Sequence, residues 1–80
     1  MTIIDVRPSK NFGGSWVAIE APGVQPAFSG PNGKERAIRY ASNRFGGRGG
    51  EVHVYEDDGL TIERTITIDG RGQYPHERRD

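Results

Sequence analysis

The chain has 80 residues, with eleven acidic and eleven basic side chains and no cysteine. A chain of this length has room for one hydrophobic core, so we expect a single domain. The lack of cysteine excludes a disulfide framework and a cysteine-ligated zinc site as reinforcement of that core. No apolar run approaches the ~18 residues that a membrane span needs, so we expect a soluble, cytoplasmic protein without a membrane partner.

Two strands are predicted before the middle of the chain. Residues 2–7 alternate between apolar and polar side chains, and Pro8 ends this strand. Residues 15–21 form the second strand. Residues 24–28 are compatible with a further short strand, which must lie at a sheet edge because Pro26 has no N–H to donate.

The second strand offers two interpretations of Trp16. We expect Val17 and Ile19 to face the core, which directs Trp16 to the opposite face of the sheet. The indole ring then either packs at an edge or under residues 22–28, or serves as an anchor for a partner or a second subunit. The sequence leaves both interpretations open.

A helix is predicted from about residue 33 to residue 45. Its start is marked by Asn32, which we expect to cap the first turn together with Glu35. Glycines 46 and 47 end it. The side chains that recur at helical spacing and form the expected core face are Ala37, Ile38, Ala41 and Phe45.

The last predicted element is a hairpin that turns at residues 57–59. A three-residue loop with Gly59 in the left-handed conformation places Val54 opposite Ile62. A two-residue turn would place Val54 opposite Glu63 and mix apolar with polar side chains, so we expect the three-residue loop. The outer face of this hairpin is predicted to carry Glu51, His53, Tyr55, Thr61, Glu63 and Thr65.

These elements predict one α+β domain over residues 1–68. The expected order is ββαββ, with a small antiparallel sheet and one helix packed across it. Residues 69–80 lack hydrophobic periodicity, and we predict that they form a disordered polar tail.

The arrangement of motifs resembles a known family. The segments that carry the resemblance are Ser15-Trp16-Val17, Phe28, the helix with Ala37-Ile38 and Ala41, Gly50-Glu51-Val52-His53-Val54, Asp58-Gly59 and Glu63-Arg64. Over roughly residues 14–68 the chain resembles the small bacterial family called domain of unknown function 2188. The resemblance implies a Trp-bearing strand, a short Ala-rich helix, a second strand and an Asp-Gly turn, and it implies no activity.

The charges change sign along the chain. Residues 34–48 contain five basic side chains and one acid, whereas residues 51–63 contain five acids and no Lys or Arg. A partner would therefore meet a local dipole, although the net charge is zero.

Catalytic and metal-binding patterns are weak. The chain has no nucleophile elbow, and we expect His53 to form an exposed cross-strand pair with Glu63 instead of acting as a base. The acids around the turn lack the spacing of a calcium loop. We therefore predict no catalytic residue, no metal, no cofactor and no enzymatic activity.

The first functional hypothesis is a binding module that occupies a surface on a protein or nucleoprotein partner, such as a phage-type inhibitor of a host nucleic-acid-handling complex. Trp16 and Tyr55 are the candidate aromatic anchors. The candidate docking residues are the acids of the hairpin, namely Glu51, Glu56, Asp57, Asp58 and Glu63.

Two alternatives stay open. One is nucleic-acid binding by the helix and the Gly-rich segment at residues 46–50. Its candidate phosphate-binding residues are Lys34, Arg36, Arg39, Arg44 and Arg48. The other is a structural homodimer built on the open sheet face or on edge strands.

Overall fold

The structure is a computed structural model that describes residues 2–9, 14–21, 23–45, 48–68 and, for the backbone only, 76–79. One sheet and one helix form two layers, so the predicted α+β class is confirmed. In chain order the elements are β1 (Thr2–Pro8), β2 (Trp16–Ile19), β3 (Ala27–Phe28), α1 (Gly33–Asn43), β4 (Gly50–Tyr55), β5 (Ile62–Ile68) and β6 (His76–Arg79).

The sheet is mixed, and the prediction of a purely antiparallel sheet is wrong at its centre. The strand order is β3-β2-β1-β4-β5-β6. β1 and β4 run parallel, with Ile4 beside Val52 and Val6 beside Val54. A parallel pair needs a crossover connection, and the chain between these strands includes α1, which returns it across one sheet face. The predicted order ββαββ is matched only in part, because β3 precedes α1 and β6 follows β5.

The two additional strands lie at the edges of the sheet. β3 falls within residues 24–28, where the sequence allows an edge strand, and it pairs with β2. β6 pairs with β5 at residues 76–79, inside the segment predicted to be a disordered tail. Backbone pairing at an edge needs no apolar periodicity, so composition does not reveal such a strand. Residues 69–75 and 80 of the predicted tail lie outside the described residues.

Helix α1 buries the face that its sequence predicts. Ala37, Ile38 and Ala41 are buried, and so is Phe45, which follows the end of the helix instead of forming its last turn. The Asn32 side chain makes no capping hydrogen bond, so that prediction is wrong; Asn32 contributes its backbone carbonyl to the Arg36 N–H instead. The buried side chains that pack together between the layers are Ile4, Val6, Ala18, Ala37, Ile38, Ala41, Phe45, Val52, Val54 and Ile66.

β2 presents the opposite face from the one predicted. Ala18 pairs with Val6 and is 0% exposed, so the even-numbered residues of β2 face α1. Trp16 lies on this face and packs against the core, whereas Val17 and Ile19 lie on the far side of the sheet. Both faces of this strand are apolar, so alternation alone does not choose between them. A small residue at position 18 leaves room for the helix.

The hairpin of β4 and β5 contains a bulge that changes the predicted register. Val54 pairs with Arg64 and Tyr55 with Ile62, so the predicted pairing of Val54 with Ile62 is wrong. Glu63 is the extra residue of the bulge and lies between Ile62 and Arg64, which pair with Tyr55 and Val54. Glu63 consequently lies on the helix side of the sheet and not on the predicted outer face, as its hydrogen bond to Lys34 shows.

The sheet face opposite α1, called the open face below, is lined by both apolar and charged side chains. Register places on it Ile3, Asp5, Arg7, Val17, Ile19, Glu51, His53, Tyr55 and Thr65.

Candidate functional site

The loop between β4 and β5, residues 56–61, is held together by its own hydrogen bonds. The Glu56 N–H donates to the Thr61 carbonyl at 2.8 Å, and the Gly59 N–H donates to the Glu56 carbonyl at 2.9 Å. Gly59 has φ of 70°, so the predicted left-handed glycine is confirmed. The loop is longer than the predicted three residues because the ladder ends at the pair of Tyr55 with Ile62.

Asp58 fixes this loop from within. Its carboxylate accepts hydrogen bonds from the backbone N–H groups of Leu60 and Thr61 at 2.8 and 2.9 Å, and from the Thr61 hydroxyl at 2.7 Å. These bonds, led by that of the Leu60 N–H, hold the pKa of Asp58 below its ordinary value. Asp58 therefore orders the backbone and keeps its negative charge at neutral pH.

Three side chains of the loop are left for contact with a partner. Glu56 and Asp57 are exposed, and within the described part of the chain their carboxylates meet no hydrogen-bond or ionic partner. Leu60 is 81% exposed, by far the largest value for a bulky apolar side chain among the described residues. The loop thus presents an apolar side chain beside two exposed acids that have no partner in the described part of the chain.

Arg7 ties the loop to the open face. Its Nη1 donates to the Gly59 carbonyl at 3.0 Å, and its guanidinium carbon lies 3.9 Å from the centroid of the Tyr55 ring. Arg7 also approaches Asp5, with 3.5 Å between Nη2 and Oδ2. The loop therefore has both internal bonds and an external fixing point.

The predicted aromatic anchors have partners inside the fold. Tyr55 is only 9% exposed and lies under Arg7. Trp16 is half-buried against the core, opposite Phe28 in the β2–β3 register, with the Lys34 ammonium 4.9 Å from its ring centroid. Trp16 thus packs beside Phe28, within the segment named by one of the two interpretations, but it does so on the helix side of the sheet and not on the predicted face.

The five predicted docking acids do not form one surface. Glu56, Asp57 and Asp58 belong to the loop, whereas Glu51 lies on the open face and Glu63 on the helix side. Lys34 Nζ donates to both carboxylate oxygens of Glu63, at 2.8 and 3.1 Å. The acidic and basic segments of the sequence therefore neutralise each other in part across α1 and β5.

His53 is held between two carboxylates, neither of which is the predicted partner Glu63. Its Nε2 lies 2.9 Å from Glu51 Oε1, and its Nδ1 lies 4.0 Å from Asp5 Oδ1. Both ring nitrogens thus face acids instead of a nucleophile. Among the described residues, no group of three or more His, Cys, Asp or Glu side chains is placed to hold a metal ion.

The predicted phosphate-binding residues differ in how they are engaged. Lys34 is bound to Glu63, and Arg44 forms two hydrogen bonds to the Glu20 carboxylate at 2.9 and 3.0 Å. Those bonds hold the pKa of Glu20 below its ordinary value and raise that of Arg44. Arg36 donates to the Ser29 carbonyl at 3.0 Å.

The remaining two cations, Arg39 and Arg48, are exposed. Neither side chain makes a hydrogen bond or ion pair with another described residue. Of the Gly-rich segment that follows α1, residues 46 and 47 lie outside the described residues.

Two residues of the candidate site were missed from the sequence. Leu60 follows an Asp-Asp-Gly turn, and its local sequence does not distinguish an exposed leucine from a core one. Arg7 belongs to the polar side of β1 in the sequence pattern, but its contact with Gly59 joins segments 52 residues apart. Only the pairing of β1 with β4 brings these segments together.

Comparison with protein-family models, with curated proteins and with solved structures finds no match to this chain. The resemblance to domain of unknown function 2188 stays a prediction. No helix in the described part of the chain is both long and apolar enough to span a membrane.

Proposed function

We propose that the protein is a non-enzymatic binding module that docks its β4–β5 loop on a basic surface of a protein or nucleoprotein partner. One observation carries this proposal: an internally bonded loop presents Leu60 at 81% exposure beside Glu56 and Asp57, two exposed acids whose carboxylates have no partner among the described residues. Isolated exposed leucines are common, so it is the combination with rigidity and charge that supports a docking role.

Each part of the loop has a separate task in binding. Complete burial of a leucine side chain contributes about 1.5–3 kcal/mol, which makes Leu60 the candidate apolar anchor. Glu56 and Asp57 supply charge that speeds the encounter with a cationic partner and selects its orientation. The bonds of Asp58 and Arg7 lower the cost of ordering the loop on binding, because the loop is already fixed in the free protein.

The chemistry of the loop defines the partner that fits it. The complementary surface is an apolar pocket bordered by Lys or Arg side chains. Such basic surfaces commonly contact nucleic-acid phosphates. We therefore propose obstruction of a nucleic-acid-handling complex as the role of this contact.

Comparative capture from a lysate of the native host tests the proposal. The bait proteins are the wild type, Glu56→Lys/Asp57→Lys, Leu60→Ser, and the control Glu35→Lys. Glu35 is also an exposed acid, but it lies on α1, where its carboxylate faces Arg64 of β5 at 3.7 Å, and it is not part of the loop. A true partner is retained by the wild type and the control and lost from both loop variants, and its retention falls as salt is raised.

The contrary result is equally specific. If every protein retained by the wild type is also retained by Glu56→Lys/Asp57→Lys and by Leu60→Ser, the loop is not the docking element. Circular dichroism of each bait separates loss of binding from loss of fold.

A further inference from the structure

A second surface, on the helix side of the molecule, combines aromatic rings with arginines. The rings of Phe28 and Tyr40 lie 5.6 Å apart at an interplanar angle of 50°. The guanidinium of Arg36 is 5.5 Å from the centroid of Phe28, and that of Arg44 is 5.6 Å from the centroid of Tyr40. The arginine–aromatic surface, as named here, consists of Phe28, Arg36, Arg39, Tyr40, Arg44 and Arg48.

This surface carries a net positive charge. Its acidic neighbours are Glu20, which pairs with Arg44, and Glu35, which lies one helical turn before Arg39 and 3.7 Å from Arg64 of β5. The bond to Arg44 and the nearby charge of Arg48 both lower the pKa of Glu20. Arg39 and Arg48 lack a side-chain partner among the described residues, and Arg36 bonds only to a neutral carbonyl. Three guanidinium groups therefore remain available for anionic ligands.

We propose that the arginine–aromatic surface binds single-stranded nucleic acid. Proteins that bind single strands combine a basic track for phosphates with aromatic side chains that stack on bases. The half-buried rings of Phe28 and Tyr40 and the planar guanidinium groups above them provide that combination. A duplex keeps its base faces stacked internally, so the stacking component favours an unpaired strand.

The surface is separate from the β4–β5 loop, and the two proposals can fail independently. Lys34 is excluded from it although it belongs to the same helix, because both oxygens of Glu63 already hold its ammonium. This difference among the helix cations is a consequence of the fold and cannot be read from the sequence. It supplies a matched control.

The expected salt dependence follows from the number of free guanidinium groups. Three phosphate contacts to a single strand give a slope of about −2 in a plot of log affinity against log salt. Affinity then falls about twentyfold between ~50 mM and ~200 mM salt. Removal of two contacts makes this slope shallower, at about −0.7.

Fluorescence anisotropy with labelled oligothymidine and oligouridine tests these values. Arg39→Gln/Arg48→Gln changes two exposed side chains and should make the salt-dependence slope less negative without unfolding the protein. Lys34→Gln, the control, should leave the slope unchanged. Tyr40→Leu keeps an apolar side chain but removes the ring and should weaken binding about tenfold, while Tyr40→Phe should bind as the wild type does. Comparison of the affinities for oligothymidine and oligouridine shows whether the surface prefers single-stranded DNA or single-stranded RNA.

Three results would each overturn the proposal. The first is no binding of either oligomer at ~50 mM salt, where phosphate contacts are strongest. The second is an unchanged slope in Arg39→Gln/Arg48→Gln. The third is a DNA duplex of equal length that binds as tightly as the single strands, since bases would then contribute nothing.

Discussion

Replacement of Arg7 by leucine should destabilise the whole domain and loosen the β4–β5 loop. The change removes a hydrogen bond from a charged donor to the Gly59 carbonyl and the contact of the guanidinium with Tyr55. Such a hydrogen bond contributes about 1.5–3 kcal/mol to the free energy of unfolding. The lower value applies here, because Gly59 is half-exposed and water can bind its carbonyl once Arg7 is removed. The cation–π contact adds about 0.5–1 kcal/mol at a partly exposed site.

The total is a loss of about 2 kcal/mol in the free energy of unfolding, or roughly 8–16 °C in Tm for a domain of this size. Urea unfolding followed by circular dichroism measures the loss. Hydrogen exchange at the amides of residues 59–61 measures the loop directly and should become faster. Arg7→Lys keeps the charge but cannot stack and donate in the same geometry, so it should lose about half as much.

Arg39→Leu is the matched control, because it removes an exposed arginine that has no partner among the described residues. It should change the free energy of unfolding by less than about 0.5 kcal/mol. The reasoning is refuted if Arg7→Leu is as stable as this control and the loop amides exchange at the wild-type rate. The loop would then owe its order to its internal hydrogen bonds, those of Asp58 and those of the backbone.

Three further predictions test the fold around the site. Gly33→Ala should lower the free energy of unfolding by about 1–3 kcal/mol, because the added Cβ meets the carbonyl oxygen of Phe28. Helix propensity alone would favour alanine by up to about 1 kcal/mol. An increase in the urea midpoint would therefore contradict the packing of α1 on β3. Ala18→Leu should lower the free energy of unfolding by about 1–3 kcal/mol and Val17→Leu by less than about 0.5 kcal/mol, because Ala18 faces the core and Val17 does not. A lower Tm for Val17→Leu than for Ala18→Leu would instead indicate that Val17 faces the core, as the sequence predicts. Because the pKa of Asp58 is lowered in the folded protein, its carboxylate stabilises the fold above the ordinary aspartate pKa, and this stabilisation is lost as pH falls through the lowered value. Asp58→Asn should therefore lose less stability than the wild type between about pH 5 and pH 2. Equal losses in urea unfolding would exclude the carboxylate as the cause.

The sequence predicted best where one pattern persisted over several turns. Ala37, Ile38 and Ala41 repeat at helical spacing and have no competing arrangement, so the buried face of α1 was assigned correctly. In β2 both faces are apolar, and the choice depends on Ala18 meeting Val6 across the sheet. That contact requires the tertiary structure.

The charges illustrate a second limit of the sequence. The acids around Gly59 were correctly assigned to a turn, because Asp and Gly favour turn backbones for local reasons. The bulge at Glu63 then moves this acid to Lys34, which lies 29 residues earlier in the chain. A one-residue change in a ladder therefore redistributes charge between two faces of the molecule, and alternation in the sequence does not predict it.

The parallel pairing of β1 with β4 has a consequence for how the domain folds. Its two strands are separated by about 50 residues, so the central ladder has high contact order and its closure is a slow step compared with formation of α1. During synthesis β1 can already pair with β2, which places Ala18 beside Val6, but the other edge of β1 stays without its strand partner until β4 has left the ribosome. Native tertiary structure therefore forms late, after most of the chain has emerged.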